Sequence, residues 1–238
     1  MATDFAKLLE KYDLVDFHSH ILPGVDHGSS SLETTLLQLK YAKSAGINKI
    51  IATSHFYPNA HDVKRFVEKR ERALSRIRSC GEEIPEIRVG AEVLICNGIE
   101  NLPDIEKLFI RGTNTILLEL PGVPVLDSNL YTSVERILSR GVGVVIAHAD
   151  RYKPSIIDRM IGLGAKVQLN SSAMLGVLSP KKYVLEWIDQ KSVVGIGSDI
   201  HGADSKAYPK FLKAVNRLGD RYDHINKESN LMWNLSSL

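Results

Sequence analysis

Seven short apolar runs, each followed by a helix or a long loop, set what this chain can fold into. They are Leu14–His20 (LVDFHSH), Ile47–His55 (INKIIATSH), Ile87–Val93 (IRVGAEV), Thr115–Leu120 (TILLEL), Val142–Ala147 (VGVVIA), Ala165–Ser172 (AKVQLNSS) and Ser192–Asp199 (SVVGIGSD). The runs are apolar throughout rather than alternating, as expected of strands covered on both faces. Helical spacing recurs between them, in Leu32–Ala42 (ended by Gly46), from about His61 to Ser79, from about Ser128 to Arg140, and near Lys181–Gln190. Further helices are expected around Phe5–Tyr12, from about Ser205, and near the C-terminus, while PGVP breaks the chain after TILLEL. Strands that alternate with helices imply a parallel sheet with crossover helices. The expectation is an α/β barrel-like fold with residues 1–238 as a single domain.

The runs share a second property: a potential metal ligand stands at or near the end of most of them. His18 and His20, at i and i+2 of a strand, present two imidazoles to one point. His55, Glu92, Glu119, His148, Asp199 and His201 fall at the corresponding places. In β/α barrels the C-terminal ends of the strands carry the active site. Imidazole mixed with carboxylate suits manganese, iron or zinc. With His27 there are nine such residues, too many for one ion, so two or three metals sharing a bridging carboxylate are expected. Two ions roughly 3.5–4 Å apart form the clamp used in phosphoester hydrolysis. The chain shows no serine–histidine–acid order and no nucleophilic cysteine motif, which favours direct attack by a metal hydroxide.

Each group also has a structural reading. A single strand-end histidine is as readily a structural residue as a ligand. Glu92 and Glu119, set among apolar neighbours, fit that reading less well, because an unpaired buried carboxylate is costly. His61 and His224 lie in loop or helical surroundings and read as surface histidines. Arg151, three residues after His148, reads as a phosphate-binding guanidinium, with a surface ion pair as the alternative.

Composition narrows the field. The 238 residues are 44% hydrophobic and 24% charged, with a formal net charge of +2, so nothing points to nucleic acid or to a membrane surface. Lys64, Arg65, Lys69, Arg70 and Arg72 read first as a solvated helix face and second as a basic binding patch. Cys80 and Cys96 lack zinc-ribbon spacing and are too few for a disulfide framework, so both are expected as reduced thiols. No signal-peptide core and no 18-residue apolar stretch occurs, and a soluble cytoplasmic protein without membrane insertion is expected.

In order along the chain, DFHSHILPGVDHG, IIATSHFYP, GAEV, LLELPG, IAHADRY, QLNSSAMLG and GSDIHG resemble the polymerase-and-histidinol-phosphatase superfamily. Within it they are most similar to the manganese-dependent protein-tyrosine phosphatases of bacterial capsule and exopolysaccharide systems. That resemblance implies a distorted seven-stranded β/α barrel with up to three metals. His18, His20, Glu92 and Asp199 would hold one ion; Glu92 would bridge to a second, completed by Glu119 and His148. A third would use His55, His201 and the residue before Gly28, and Arg151 would bind the substrate phosphate. The implied substrate is phosphotyrosine on a bacterial tyrosine kinase that controls polysaccharide export; an oligomer is compatible with the sequence. Three positions depart from the pattern: Asp26–His27 replaces paired aspartates, TSH replaces TPH, and HADRY replaces HPERY. Other readings are a histidinol-phosphate or other small-molecule phosphatase, and a catalytically weak metal-binding kinase regulator.

Overall fold

A computed structural model of the chain describes residues 2–122, 127–176 and 178–235. Val123 and Pro124 of the expected PGVP break lie outside the described residues. Helix α1 (Ala2–Lys11) leads into β1 (Val15–Ser19), and α2 (Leu32–Ser44) into β2 (Lys49–Ala52) and the two-residue β3 (His55–Phe56). Helix α3 (Val63–Arg78) leads into β4 (Glu86–Val89) and β5 (Glu92–Leu94). Then come β6 (Thr115–Glu119), α4 (Ser128–Ser139), β7 (Gly143–Ile146), α5 (Pro154–Gly162) and β8 (Lys166–Asn170). The last elements are α6 (Lys182–Asp189), β9 (Val193–Gly197), α7 (Ala207–Leu218) and α8 (Tyr222–Asn234).

All the strand pairings are parallel, in two sheets of order β1-β2-β4 and β3-β5-β6-β7-β8-β9. The α/β class is as expected, but the seven expected strands appear as nine, and among the described residues the ladders do not close into one barrel. The difference arises at two bends. The second run breaks at Thr53–Ser54 and the third at Gly90–Ala91, and beyond each break the chain continues in the other sheet. Backbone bonds bridge the bends, from Gly90 N to Ala52 O (2.9 Å) and from Glu92 N to Ser54 O (3.0 Å). A continuous apolar run does not reveal such a bend, since both sides of it remain buried. At the other edge, Asp199 N donates to His18 O (2.9 Å) and His20 N to Ile200 O (3.3 Å), which sets the end of β9 against the end of β1.

The side-chain period of two sorts the strands between two cores. Val15, Phe17, Ile51, Leu117, Val145 and Val194 form an inner cluster with Trp233 of α8. Their neighbours Leu14, Ile50, Ile116, Leu118, Val144, Ile146 and Val193 join the larger cluster that packs under the helices. Both faces need apolar side chains, which is why the runs do not alternate in sequence.

Two helices bury polar side chains. In α2 the buried residues are Thr35, Gln38, Leu39 and Ala42, whereas Leu37 is exposed. The polar pair is buried because it holds loops: Thr35 Oγ1 donates to Ile21 O (2.8 Å) and Gln38 Nε2 to Gly202 O (2.9 Å). In α3, Arg70 is not part of a solvated face but is 5% exposed. Its Nη1 donates to Gly90 O (3.2 Å) and Lys107 O (3.1 Å), which secures the bend before Glu92. No helix among the described residues is long and apolar enough to cross a membrane.

Gly195 in β9 faces the inner core, where an added Cβ would stand 2.3 Å from Phe17 Cγ. Gly195→Ala should therefore destabilise the fold by about 1–3 kcal/mol through overpacking. Each kcal/mol corresponds to about 2–4 °C in melting temperature for a chain of this size. Thermal unfolding measures it, and an unchanged midpoint would mean that Phe17 relaxes freely.

Candidate metal centre

The strand ends converge as the alternation requires. The rings of His18 and His20 lie 5.0 Å apart at the end of β1. His18 is fully buried, and its Nδ1 lies 2.6 Å from Thr53 Oγ1, so Nε2 is the atom left facing the centre. That Nε2 lies 3.6 Å from Glu92 Oε1 and 3.4 Å from Asp199 Oδ1. In His20, Nδ1 donates to Asp26 Oδ2 (2.8 Å), and Nε2 lies 3.3 Å from Glu92 Oε2 and 3.4 Å from Asp199 Oδ1. His55 Nδ1 stands 2.9 Å from Glu92 Oε2 and 3.6 Å from Glu119 Oε2. His148 Nε2 stands 2.6 Å from Glu92 Oε1 and 3.8 Å from Glu119 Oε1.

These atoms form four overlapping triads, each with its ligand atoms within 4.8 Å of one another: His20–His55–His201, His18–His20–Asp199, His18–Glu92–His148 and His55–Glu92–Glu119. The donor set suits a hard-to-borderline divalent cation. Hydrogen bonding supports the same fit. His18 Nε2, His20 Nε2, His55 Nδ1 and Glu92 Oε2 are buried without a hydrogen-bond partner. An orphaned buried polar atom costs about 1–3 kcal/mol, and here four of them converge on one place.

Burial alone would raise the Glu92 carboxyl, but His18, His148, His20 and His55 around it hold it well below the usual range. Burial likewise opposes ionisation of Asp199, and His18, His20 and Arg151 outweigh it. Burial lowers His18 and keeps it neutral, the form that offers a lone pair. His55, despite its burial, is raised to about 9 by Glu119 and Glu92. The centre thus has ionised carboxylates interleaved with imidazoles.

The first loop resolves the Asp26–His27 pair. The Asp26 side chain is 4% exposed and accepts from His20, from Gly28 N (2.8 Å) and from His55 N (2.9 Å). It acts on the orientation of His20 and His55. His27 is exposed and belongs to none of the four triads. Its ring stacks on His55 at 4.8 Å and lies 4.8 Å from His201. Gly28 makes this arrangement possible, since a Cβ there would stand 2.0 Å from His20 Cβ.

Arg151 sits at the rim, about half exposed, with its guanidinium paired to Asp199 Oδ2. Asn170 Nδ2 donates to the same oxygen (2.9 Å). Beside it a cleft of about 480 Å³ is lined by Glu119, Leu120, Gly122, His148, Arg151 and Tyr152. His61 is exposed, as expected, whereas His224 is partly buried. Two of the converging residues, His148 (φ 32°) and Asp199 (φ 51°), have left-handed backbones that non-glycine residues seldom adopt. Gln168 Oε1 anchors the first by accepting from His148 N (2.7 Å).

Sequence reasoning missed Asp16, Thr53, Gln168 and Asn170, all polar residues that hold the candidate ligands or their strand ends. Asp16 had a signal: it is an acid inside an apolar run, the property that singled out Glu92. It is fully buried and accepts from Ser198 N (2.8 Å) and Ser198 Oγ (2.6 Å), so it ties β1 to the turn that carries Asp199. Burial pushes its carboxyl up to about 6, against the donors from Ser198 and Tyr208. Asp16→Asn removes the charge and puts an amide donor in place of the oxygen that accepts from Ser198 Oγ, and should lower stability by about 1–3 kcal/mol. Chemical denaturation measures this; wild-type stability would show that the clamp is dispensable.

Comparison with known proteins places this geometry. A family model described as capsular polysaccharide synthesis, CpsB/CapC, matches residues 14–238. Tyrosine-protein phosphatase YwqE of Bacillus subtilis is 25% identical over 206 residues, covering 82% of this chain and 80% of that protein. Tyrosine-protein phosphatase CpsB of Streptococcus pneumoniae is 25% identical over 228 residues, covering 88% and 91%. A solved chain from the structures of those two proteins, described as metal-dependent tyrosine phosphatases, superposes with a TM-score of 0.78 at 20% identity, covering 94% of this chain and 96% of that one.

Proposed function

The chain belongs to the CpsB/CapC family of capsular polysaccharide synthesis, and on that footing we propose that it is a metal-dependent protein-tyrosine phosphatase. The observation that carries the reading is the ring of four imidazoles around Glu92, with Arg151 at its rim beside an open cleft. One ion would be held by His18, His20, Glu92 and Asp199, and a second by Glu92, Glu119 and His148. A third would use His55, His201 and His27; the short ring-to-ring distances from His27 to the other two support that assignment. The ions would be manganese first, with iron or zinc as substitutes.

When bound, the ions would acidify a water and neutralise phosphate oxygens. This chain's own residues do the rest. Thr53 and Asp26 fix the ring orientations of His18 and His20. Asn170 holds Asp199, and Arg151 supplies a fixed positive charge for the phosphate. Leu120, Gly122 and Tyr152 line the cleft in which a phenol ring would lie. The substrate is a phosphotyrosine protein, a bacterial tyrosine kinase of polysaccharide export being the natural candidate, and the cytoplasm with its reduced thiols suits the free Cys80 and Cys96. We also read residues 1–238 as one domain, with the nine strands as seven positions of a distorted barrel, β2 with β3 and β4 with β5 sharing one position each.

The test is a phosphatase assay on metal-stripped protein reconstituted with manganese, iron, zinc or cobalt. Phosphotyrosyl peptide and histidinol phosphate serve as competing substrates. Phosphotyrosyl hydrolysis should require metal, chelation should abolish it, and Cys80→Ser with Cys96→Ser should leave kcat close to wild type. Activity that survives rigorous metal removal, or a clear preference for histidinol phosphate, would overturn the reading.

Two variants separate metal assembly from phosphate recognition. Glu92→Gln should lose bound metal and activity together, because the shared charge is gone. Arg151→Ala should retain metal and fold but lose on the order of 2–4 kcal/mol of transition-state stabilisation, roughly 30- to 1,000-fold in kcat/KM. Arg151→Lys should recover only part of it. Wild-type kcat/KM in Arg151→Ala would make this arginine a surface residue.

A further inference from the structure

Beyond the metal centre, a second cleft of about 270 Å³ opens at the start of α3, lined by Val25, His61, Asp62, Arg65, Phe66 and Lys69. We propose that it selects an acidic side chain on the protein substrate, a few residues from the phosphotyrosine; the proposal rests on the phosphatase reading of the neighbouring site. Three observations support it.

The first is position. A run of rings joins the two sites: His55 stacks on Tyr57 at 5.5 Å, and Tyr57 lies 5.4 Å from His61, which lines the cleft. That path of at most ~11 Å, shared between the phosphotyrosine side chain and a backbone rising roughly 3.3 Å per residue, is within reach of a side chain a few positions away. The loop carrying Asp26 forms the cleft's other wall, where Lys69 Nζ donates to Val25 O (3.0 Å).

The second is charge. Arg65 and Lys69 are exposed, one helical turn apart on α3, and among the described residues neither has an acidic partner within 4 Å. Asp62, the acid in the lining, is already engaged: its Oδ1 accepts from Arg65 N (2.9 Å) and caps the helix. The cleft therefore presents two cations without an acidic partner, Lys69 held in place by Val25 O and Arg65 free of any ion pair among the described residues.

The third is the floor. Phe66 and Val25 are each only 6% exposed, and Phe66 packs edge-on against Phe56 at 5.2 Å. A rigid apolar floor under cations favours a peptide side chain over free inorganic anion, because it contacts the methylenes while the cations take the carboxylate.

The experiment uses the metal-loaded full chain and three phosphotyrosyl peptides. One is neutral, one carries aspartates two to four residues before the phosphotyrosine, and one carries them after it. The small ester para-nitrophenyl phosphate reports the metal centre alone. Wild-type protein should favour one acidic peptide by about tenfold in KM, with little change in kcat, and the preference should fade in 0.5 M salt. Arg65→Glu should abolish the preference and Arg65→Ala should weaken it, while both keep metal content and para-nitrophenyl phosphate hydrolysis. Equal KM for all three peptides in wild type, or a preference that survives Arg65→Glu, would overturn the proposal. If para-nitrophenyl phosphate is hydrolysed but no phosphotyrosyl peptide is, the phosphatase reading falls instead, and this proposal with it.

Discussion

The structure depends on a single buried carboxylate. Glu92 is fully buried, with His18 and His148 near one oxygen and His20 and His55 near the other. Among the described residues no arginine or lysine pairs with it. A charge so placed is tolerable only where surrounding groups supply compensating donors or a cation, since removing an ion from water costs several kcal/mol even after relaxation. The imidazoles come from β1, from β3 and from the turn after β7. Elements far apart in sequence must therefore meet at this one residue.

That requirement explains the bends in the sheets. Straight strands through Ile47–His55 and Ile87–Val93 would carry β2 and β4 on in the same ladder. At Thr53–Ser54 and Gly90–Ala91 the chain changes partner instead, and the register after the bends sets His55 opposite Glu92. Support for the bend is built from the helix layer: Arg70 reaches in from α3 to hold Gly90 O. On the other side, Asp16 holds Ser198 and so carries Asp199 to His18. Several of the buried polar residues, Arg70, Asp16 and Thr53 among them, are fasteners that hold strand ends in place.

Legibility in the sequence followed the same division. Period and termination bring the candidate ligands together: His18, His20, His55, Glu92, Glu119, His148, Asp199 and His201 converge, because each sits at or near the end of an apolar run. The partner change within two runs was not legible, because a bend between two buried stretches leaves no polar mark. Arg70 was misread for a related reason. Its neighbours Arg65, Lys69 and Arg72 carry the same charge, and only the position of Gly90 distinguishes a buried guanidinium from a solvated one. The supporting residues Thr53, Gln168 and Asn170 give no signal in one sequence, since their chemistry lies in what they touch.

The Asp26–His27 pair shows where such reading reaches its limit. In a strand, adjacent residues face opposite ways by geometry; in a loop, no period decides which one turns inward. Here the decision falls to Gly28. Its missing side chain lets the loop lie against His20, which turns the carboxylate of residue 26 inward, onto His20 Nδ1 and His55 N. Residue 27 is then left on the outside, its ring stacked on His55 and tilted against His201. A histidine tolerates that place better than a second aspartate would, because its flat ring can lie on its neighbours and it adds no further anion beside Asp26. Position 27 thus sets the chemistry at the mouth of the candidate centre, while the buried interior is held by Asp26 and Glu92.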